Sequence, residues 1–137
     1  MYQLYLTCPR GLEEVLYNET KEYISQKINI DNGGIIFNGD LEDIYKINYK
    51  TRMGMNLHRK LFEGYISSYD DLYKIIYHFN WNKILSPENT FSIKTKIQSD
   101  IFQKSNFCTM KGKDAIVDRI RKGKNSRPSI DKRNPDF

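Results

Sequence analysis

Sequence patterns that usually mark a catalytic or cofactor-binding site are scarce in this chain. It contains two histidines, His58 and His78, and two cysteines, Cys8 and Cys108, all far apart in sequence. A zinc or haem site needs its ligands at much closer spacing. The sequence has no Gly-x-Ser-x-Gly elbow, no P-loop and no Gly-x-Gly-x-x-Gly fingerprint. We therefore expect no catalytic residue, no metal ion and no cofactor within these residues.

Two further patterns are weak evidence for chemistry. The adjacent carboxylates Glu13-Glu14 and Asp70-Asp71 fall in the first turns of predicted helices, where they complement the helix dipole. The segment Asn134-Pro135-Asp136-Phe137 superficially resembles the Asn-Pro-Pro-aromatic loop of amino-methyltransferases. It lacks the second proline, and no nucleotide-binding strand, glycine loop and helix precede it. Neither pattern predicts an active site.

Nothing in the sequence indicates export or a membrane. No apolar run approaches the roughly 18 residues of a membrane-spanning helix. The first six residues lack the basic and apolar segments of a signal peptide. The two separated cysteines give no sign of an oxidising compartment. The sequence predicts a cytoplasmic protein.

The positive charge is concentrated in the last quarter of the chain. Residues 1–103 hold 12 Lys and Arg against 13 Asp and Glu, whereas residues 104–137 hold 10 against 4, a balance of +6. A basic segment on a nearly neutral body favours a polyanionic partner. Cationic residues that serve solubility alone would give the same counts.

Apolar periodicity predicts strands that alternate with helices. Strands are expected at residues 2–7, 35–37, 55–62 and 91–97, and Asp31-Asn32-Gly33-Gly34 is typical of a turn. Helices are expected from Leu12, after the caps Asp40 and Ser68, and over residues 106–122. The order β-α-β-α-β-α-β-α predicts an α/β fold, an α+β sandwich of a sheet packed against helices. A boundary is expected near Gly64.

The predicted helix over residues 106–122 carries the strongest functional signal. Its expected core residues are Met110, Val117 and Ile120. A stripe on the opposite side consists of Lys111, Ala115, Asp118 and Lys122. Further cations along the segment are Lys104, Lys113, Arg119, Arg121, Lys124, Arg127, Lys132 and Arg133. Such a ridge would neutralise several phosphates at once, although an ordinary amphipathic helix with a cationic outer face has the same pattern.

A row of tyrosines precedes this helix. Tyr65, Tyr69, Tyr73 and Tyr77 recur at every fourth position, which places them on one helix face. Such a row can stack RNA bases. Helical spacing of large aromatic residues more often marks a face that packs on the core, and we favour that interpretation.

Several segments together resemble one protein family. Leu6-Thr-Cys-Pro-Arg-Gly-Leu-Glu-Glu14 and Gly33-Gly-Ile-Ile-Phe-Asn-Gly-Asp40 resemble the opening of the bacterial large-subunit rRNA guanine-N2 methyltransferases. Lys111-Gly-Lys-Asp-Ala-Ile-Val-Asp118, Arg127-Pro-Ser-Ile-Asp131 and Pro135-Asp136 resemble the signature of that family's THUMP domain. Arg52 and Phe79-Asn-Trp81 also match in position. The match extends over essentially the whole chain.

The resemblance implies a ferredoxin-like subdomain over residues 1–64 and a THUMP RNA-binding domain over residues 65–137. It implies RNA contacts from Lys111, Lys113 and Arg119, with Asn106 near the helix start and Arg127 in the next loop. In this family a separate downstream domain binds S-adenosylmethionine and methylates a guanine of structured large-subunit rRNA. We expect that domain, and the last strands of the THUMP sheet, to lie outside these 137 residues.

Two other functions fit the same residues. The chain would be a stand-alone protein that binds tRNA or DNA, or a protein-interaction module whose basic helix meets an acidic partner. A catalytic activity within these residues is the least favoured interpretation, because no nucleophile, metal cluster or cofactor loop is visible.

Overall fold

The first unit of the chain is an antiparallel sheet with two helices. The computed structural model describes residues 1–122 and 125–137, and it divides into the units Met1–Glu63 and Gly64–Phe137. The strands of the first unit are β1 (Tyr2–Thr7), β2 (Ile28–Asp31), β3 (Gly34–Gly39) and β4 (Leu57–Arg59). Its helices are α1 (Glu13–Thr20) and α2 (Leu41–Lys50).

The strand order β2-β3-β1-β4 and the chain order βαββαβ define a ferredoxin-like arrangement. Every pairing in this sheet is antiparallel, and β1 is central, with Leu4 opposite Phe37 on one side and opposite Arg59 on the other. The predicted mixture of sheet and helices is confirmed. The predicted strict alternation of strand and helix is wrong, because β2 and β3 form a hairpin around the turn at Asn32-Gly33. Gly33 has φ +83°, a conformation that glycine adopts without strain.

One face of this sheet is covered by the helices. Its buried core includes Leu4 and Leu6 of β1, Ile35 and Phe37 of β3, Leu16 of α1, and Ile47 of α2. The predicted cap of α2 is confirmed, since the Asp40 carboxylate accepts a hydrogen bond from the Asp43 amide at 3.0 Å. The Asp43 carboxylate in turn accepts a hydrogen bond from the Asp40 amide.

The carboxylate of Glu13 does more than complement the dipole of α1. It accepts the amide of Gly33 at 3.1 Å and the amide of Gly11 at 2.9 Å. Hydrogen bonds from its own backbone amide first, and then from the amides of Gly33 and Gly11, lower the pKa of Glu13. The start of α1 is thereby tied to the β2–β3 hairpin.

The second unit pairs two helices with short strands. In its described residues it contains α3 (Tyr69–His78), a 3-10 turn (Trp81–Lys83), β5 (Thr90–Phe91), α4 (Ser105–Arg121) and β6 (Ser129–Ile130). The predicted cap of α3 is confirmed, because the Ser68 hydroxyl accepts the Asp71 amide at 3.1 Å. The predicted helix over residues 106–122 is also confirmed, with its bounds shifted by one residue at each end.

β5, α4 and β6 form a parallel β-α-β unit. Thr90 lies opposite Ser129, and Phe91 lies opposite Ile130. Phe137 forms backbone hydrogen bonds on the other side of β5. Its amide donates to the Thr90 carbonyl, and its carbonyl accepts the Ser92 amide at 2.9 Å. The predicted strand over residues 91–97 is wrong beyond Phe91. Among the described residues, only Ser92 of this segment keeps a backbone hydrogen bond, to Phe137, and residues 93–97 have none that would extend the strand.

The core of the second unit lies between α4 and the chain around β5. Trp81, Leu85, Phe91, Ile116, Val117 and Ile120 are its buried members. The indole Nε1 of Trp81 donates to the Ile76 carbonyl at 2.7 Å, which satisfies the polar atom of this large side chain.

Candidate RNA-binding surface

Helix α4 packs on α3 through a stripe of small and aliphatic residues. Its buried residues are Cys108, Gly112, Ala115, Ile116, Val117 and Ile120. Most of them recur at intervals of three or four residues, which places them on one side of the helix, and the small residue Gly112 lets Ile76 of α3 approach closely. The prediction that Val117 and Ile120 face the core is confirmed.

Two predicted positions on α4 are wrong. Met110 is 58% exposed, although the sequence pattern predicts it in the core, and Ala115 is fully buried, although the same pattern predicts it on the solvent side. Because successive residues turn by about 100°, Met110 lies roughly 200° around the helix from Cys108. Ala115 belongs to the predicted stripe with Lys111 and Asp118. Because Ala115 is buried, this stripe borders the contact with α3 and does not lie opposite the core.

The border between α4 and α3 is held by polar and aromatic contacts. The Tyr73 hydroxyl donates to Asp118 Oδ2 at 2.7 Å, and this hydrogen bond, with desolvation, raises the pKa of Tyr73 to about 12. The Arg119 guanidinium lies 5.5 Å from the centre of the Tyr77 ring, and the Tyr73 and Tyr77 rings stack at 5.8 Å. Lys111 Nζ lies 3.9 Å from Asp70 Oδ1. These side chains hold the two helices together.

The tyrosine row mostly supports α4, which confirms the favoured interpretation for three of its four members. Tyr69, Tyr73 and Tyr77 are half-buried. Tyr69 packs on Phe107 of α4 in a T-shaped arrangement, with ring centres 4.5 Å apart. Tyr65 is fully exposed and precedes α3.

The other predicted site residues lie at the two ends of α4 and in the loops beyond it. Lys104 and Asn106 are exposed at the start of the helix, and Arg121 and Lys122 are exposed at its end. The 17 residues of α4 span roughly 25 Å, so the structure does not bring these two pairs together. Exposed cations that follow α4 are Arg127, Lys132 and Arg133; Lys124 lies outside the described residues.

Lys113 and Arg119 are half-buried and partly engaged within the unit. Lys113 Nζ lies 3.1 Å from the carboxylate of its neighbour Asp114. Arg119 Nε is buried without a hydrogen-bond partner in the described part of the chain, so its guanidinium is oriented by the Tyr77 ring. The exposed cations at the helix ends are therefore more accessible to a ligand than these two.

The carboxylates near α4 leave most of the positive charge uncompensated. Asp118 accepts the Tyr73 hydroxyl, and Asp136 accepts the backbone amide and hydroxyl of Thr90. Asp131 accepts the amides of Asn134 and Arg133, which lower its pKa. Among the described residues, no carboxylate pairs with the exposed cations at either end of α4. The segment thus presents a net positive surface.

An exposed apolar patch at the start of α4 was not predicted from the sequence. Ile101, Phe107 and Met110 are 63%, 42% and 58% exposed. Two open clefts of about 350 and 390 Å³ lie beside the Phe107 ring and share Gln103, Lys104 and Phe107. Phe107 and Met110 fall outside the set of buried residues on α4, which the sequence pattern did not identify at Met110.

Each of the two units matches a known domain family. Residues 3–55 match the RlmL ferredoxin-like domain, and residues 67–137 match the THUMP domain. The chain belongs to the THUMP family. These two domains are the ferredoxin-like and THUMP region that the sequence resemblance predicted, and α3 and α4 belong to the THUMP domain.

Similar proteins are longer than this chain. It is 33% identical over 138 aligned residues to the ribosomal RNA large subunit methyltransferase K/L of Pseudoalteromonas atlantica, covering 100% of this chain and 20% of that protein. The Shewanella frigidimarina protein of the same name is 31% identical, with 100% and 19% covered. The chain thus spans about a fifth of the length of these curated relatives. A structure described as a possible methylase from Clostridium difficile 630 has a TM-score of 0.76 and 25% identity, with 96% of this chain and 36% of that chain covered.

Residues 1–122 and 125–137 contain neither a membrane-spanning helix nor a metal-binding cluster. None of their helices is long and apolar enough to cross a membrane. No group of three or more His, Cys, Asp or Glu side chains among them could hold a metal ion.

Proposed function

We propose that this chain is the RNA-binding module of an S-adenosylmethionine-dependent rRNA methyltransferase. The observation that carries the proposal is the uncompensated positive surface of the THUMP domain. Lys104 at one end of α4, and Arg121 and Lys122 at the other, are exposed and unpaired with any described carboxylate. Cations of this kind bind the phosphates of structured RNA and release its counterions.

The relatives support the identity of the RNA and of the reaction. The curated proteins that match the whole chain are named ribosomal RNA large subunit methyltransferases. We propose that the target is structured large-subunit rRNA and that the methyl group goes to the N2 atom of a guanine. We propose with it that the protein acts in the cytoplasm.

The catalytic chemistry would be supplied from outside these 137 residues. No strand, glycine loop and helix of the nucleotide-binding type is present in the sequence. We propose that S-adenosylmethionine is bound by a separate domain of the parent protein, where it supplies the methyl group. The residues described above would bind and orient the RNA, and this chain would hold no cofactor or metal of its own.

The first test is binding of the 137-residue chain to rRNA stem-loops over a series of salt concentrations. The double variant Arg121→Ala/Lys122→Ala removes two exposed cations from the end of α4. We expect the logarithm of the binding constant to fall steeply with the logarithm of salt, and the double variant to reduce that slope by about one unit per lost contact. Both residues follow the last buried position of α4, so the fold should be retained.

The matched control is Lys94→Ala/Lys96→Ala. These lysines are also exposed in the second unit, lie before the basic segment, and give the same change in net charge. An equal loss of slope in both double variants would mean that net charge, and not the end of α4, determines binding. Absence of salt-dependent RNA binding by the folded chain would refute the proposal and favour an acidic protein partner.

A further inference from the structure

Phe107 occupies an unusual position at the start of α4. It belongs to the helix that packs on α3, yet the residue is 42% exposed. The two open clefts of about 350 and 390 Å³ lie beside this ring. A partly exposed ring with open space beside it can accept a planar group.

Contacts with other aromatic side chains fix the orientation of the Phe107 ring. Tyr69 of α3 contacts it edge to face, with ring centres 4.5 Å apart and planes at 78°. Tyr69 also packs on the buried Phe102, at 5.1 Å and 80°. Because the orientation of the ring is fixed by this aromatic cluster, little conformational entropy would be lost when a ligand stacks on it.

The clefts combine apolar, amide and cationic groups. Gln103 and Asn106 supply amide donors and acceptors, and Lys104 supplies an ammonium group that belongs to both clefts. Lys111 Nζ lies 5.8 Å from the centre of the Phe107 ring. Among the described residues that line the two clefts, none is Asp or Glu. The nearby Asp70 lies 3.9 Å from Lys111 and is largely exposed.

This combination matches the parts of one nucleotide. An aromatic ring stacks on a base, amides hydrogen-bond to base edges, and lysines attract the flanking phosphates. A purely apolar protein segment would leave the ammonium groups and amides without a charged or polar partner. In a paired duplex the base is stacked within the helix and its face is not free to reach the ring.

We propose that the clefts beside Phe107 bind one unpaired nucleotide of the RNA, with its base stacked on the Phe107 ring. This inference rests on the proposed RNA-binding function and makes it more specific. The module would recognise a bulge, loop or flipped base next to a duplex, while the exposed cations at the end of α4 contact duplex phosphates.

The test uses the 137-residue chain and two rRNA-type hairpins, one fully paired and one with a single bulged 2-aminopurine. The fluorescence of 2-aminopurine changes when it stacks on an aromatic ring. We expect wild type to quench the bulged base and to bind the bulged hairpin more tightly than the paired one. Phe107→Leu should lose the quenching and about tenfold in affinity for the bulged hairpin, with little change for the paired hairpin.

Phe107→Trp and Tyr65→Leu are the controls. Tryptophan keeps an aromatic ring and should retain quenching, which separates stacking from a packing defect against Tyr69. Tyr65 is a fully exposed aromatic residue that does not line either cleft, so its replacement should change nothing. Circular dichroism and a thermal scan establish that each variant is folded.

Two outcomes would overturn the inference in distinguishable ways. Equal binding of both hairpins, or normal quenching by Phe107→Leu, would refute the nucleotide site while leaving salt-dependent RNA binding intact. An apolar protein segment would then be the favoured ligand of the clefts. If the folded wild-type chain binds neither hairpin at low salt, the proposed function fails and the inference fails with it.

Discussion

Replacement of Gly112 by alanine tests how α4 is seated on α3. Gly112 is a buried residue in the middle of α4, between Lys111 and Lys113. A glycine inside a basic segment suggests close approach of the backbone to phosphate. The structure gives it a different neighbour. A Cβ atom built at this position would lie 3.5 Å from Ile76 Cδ1 of α3 and 3.6 Å from Ile93 Cδ1.

Both distances are ordinary van der Waals contacts, so a methyl group fits without displacement. Glycine in a helix interior is about 1 kcal/mol less favourable than alanine. Burial of the added methyl group contributes up to about 0.8 kcal/mol more. We therefore expect Gly112→Ala to stabilise the second unit by about 1–1.8 kcal/mol. A unit of this size would show this as a rise in melting temperature of roughly 4–8 °C per kcal/mol.

The assay combines thermal unfolding with the RNA salt series. Because Gly112 faces α3, the variant should melt at a higher temperature and bind RNA with an unchanged salt slope. A lower melting temperature would show that α3 and α4 approach more closely than these distances allow. Higher stability with lost RNA binding would place Gly112 against the RNA and refute the assignment of this face to the core.

Two further predictions concern single contacts. Gly34→Ala would place Cβ 2.2 Å from the Leu6 carbonyl oxygen, which is backbone of the paired strand β1. We expect a loss of about 2–3 kcal/mol in denaturant unfolding, and an unchanged midpoint would contradict the close approach of β1 and β3 at this position. The pKa of Tyr73 is raised from 10.0 to about 12 by its hydrogen bond to Asp118, so that bond stabilises the fold below about pH 10 and is lost as pH rises towards 12. Tyr73→Phe should remove one late step from the tyrosinate absorbance titration, and an unaltered titration would mean that the bond does not persist in solution.

Features that depend on neighbouring residues were predictable from the sequence. The caps Asp40 and Ser68 each accept an amide three residues later, so a short stretch of sequence contains both partners. The helix α4 was also predictable, because its 17 residues sustain a helical pattern. The resemblance to a known family added the domain assignment, which short-range patterns do not contain.

Features that depend on distant partners were not predictable in the same way. β2 has four residues, three of them exposed, and exists because it pairs with β3. β5 and β6 have two residues each, and they pair with each other although all of α4 lies between them in the sequence. The choice of buried face on α4 was wrong at Met110 and Ala115, because a small residue such as Ala115 can be buried in the packed interior, whereas Met110 lies on another side of the helix.

The position of the cations along α4 limits what kind of ligand the surface can hold. Lys104 and Lys122 flank a helix roughly 25 Å long, and the centre of that helix is packed on α3. A single nucleotide or a free phosphate cannot reach both ends, whereas an RNA stem with an adjoining unpaired base can. Sites this far apart without shared partners contribute nearly additively to binding. If the RNA engages both ends, the aromatic clefts at the start of α4 confer preference for an unpaired base, and the cations at its end confer affinity and salt dependence.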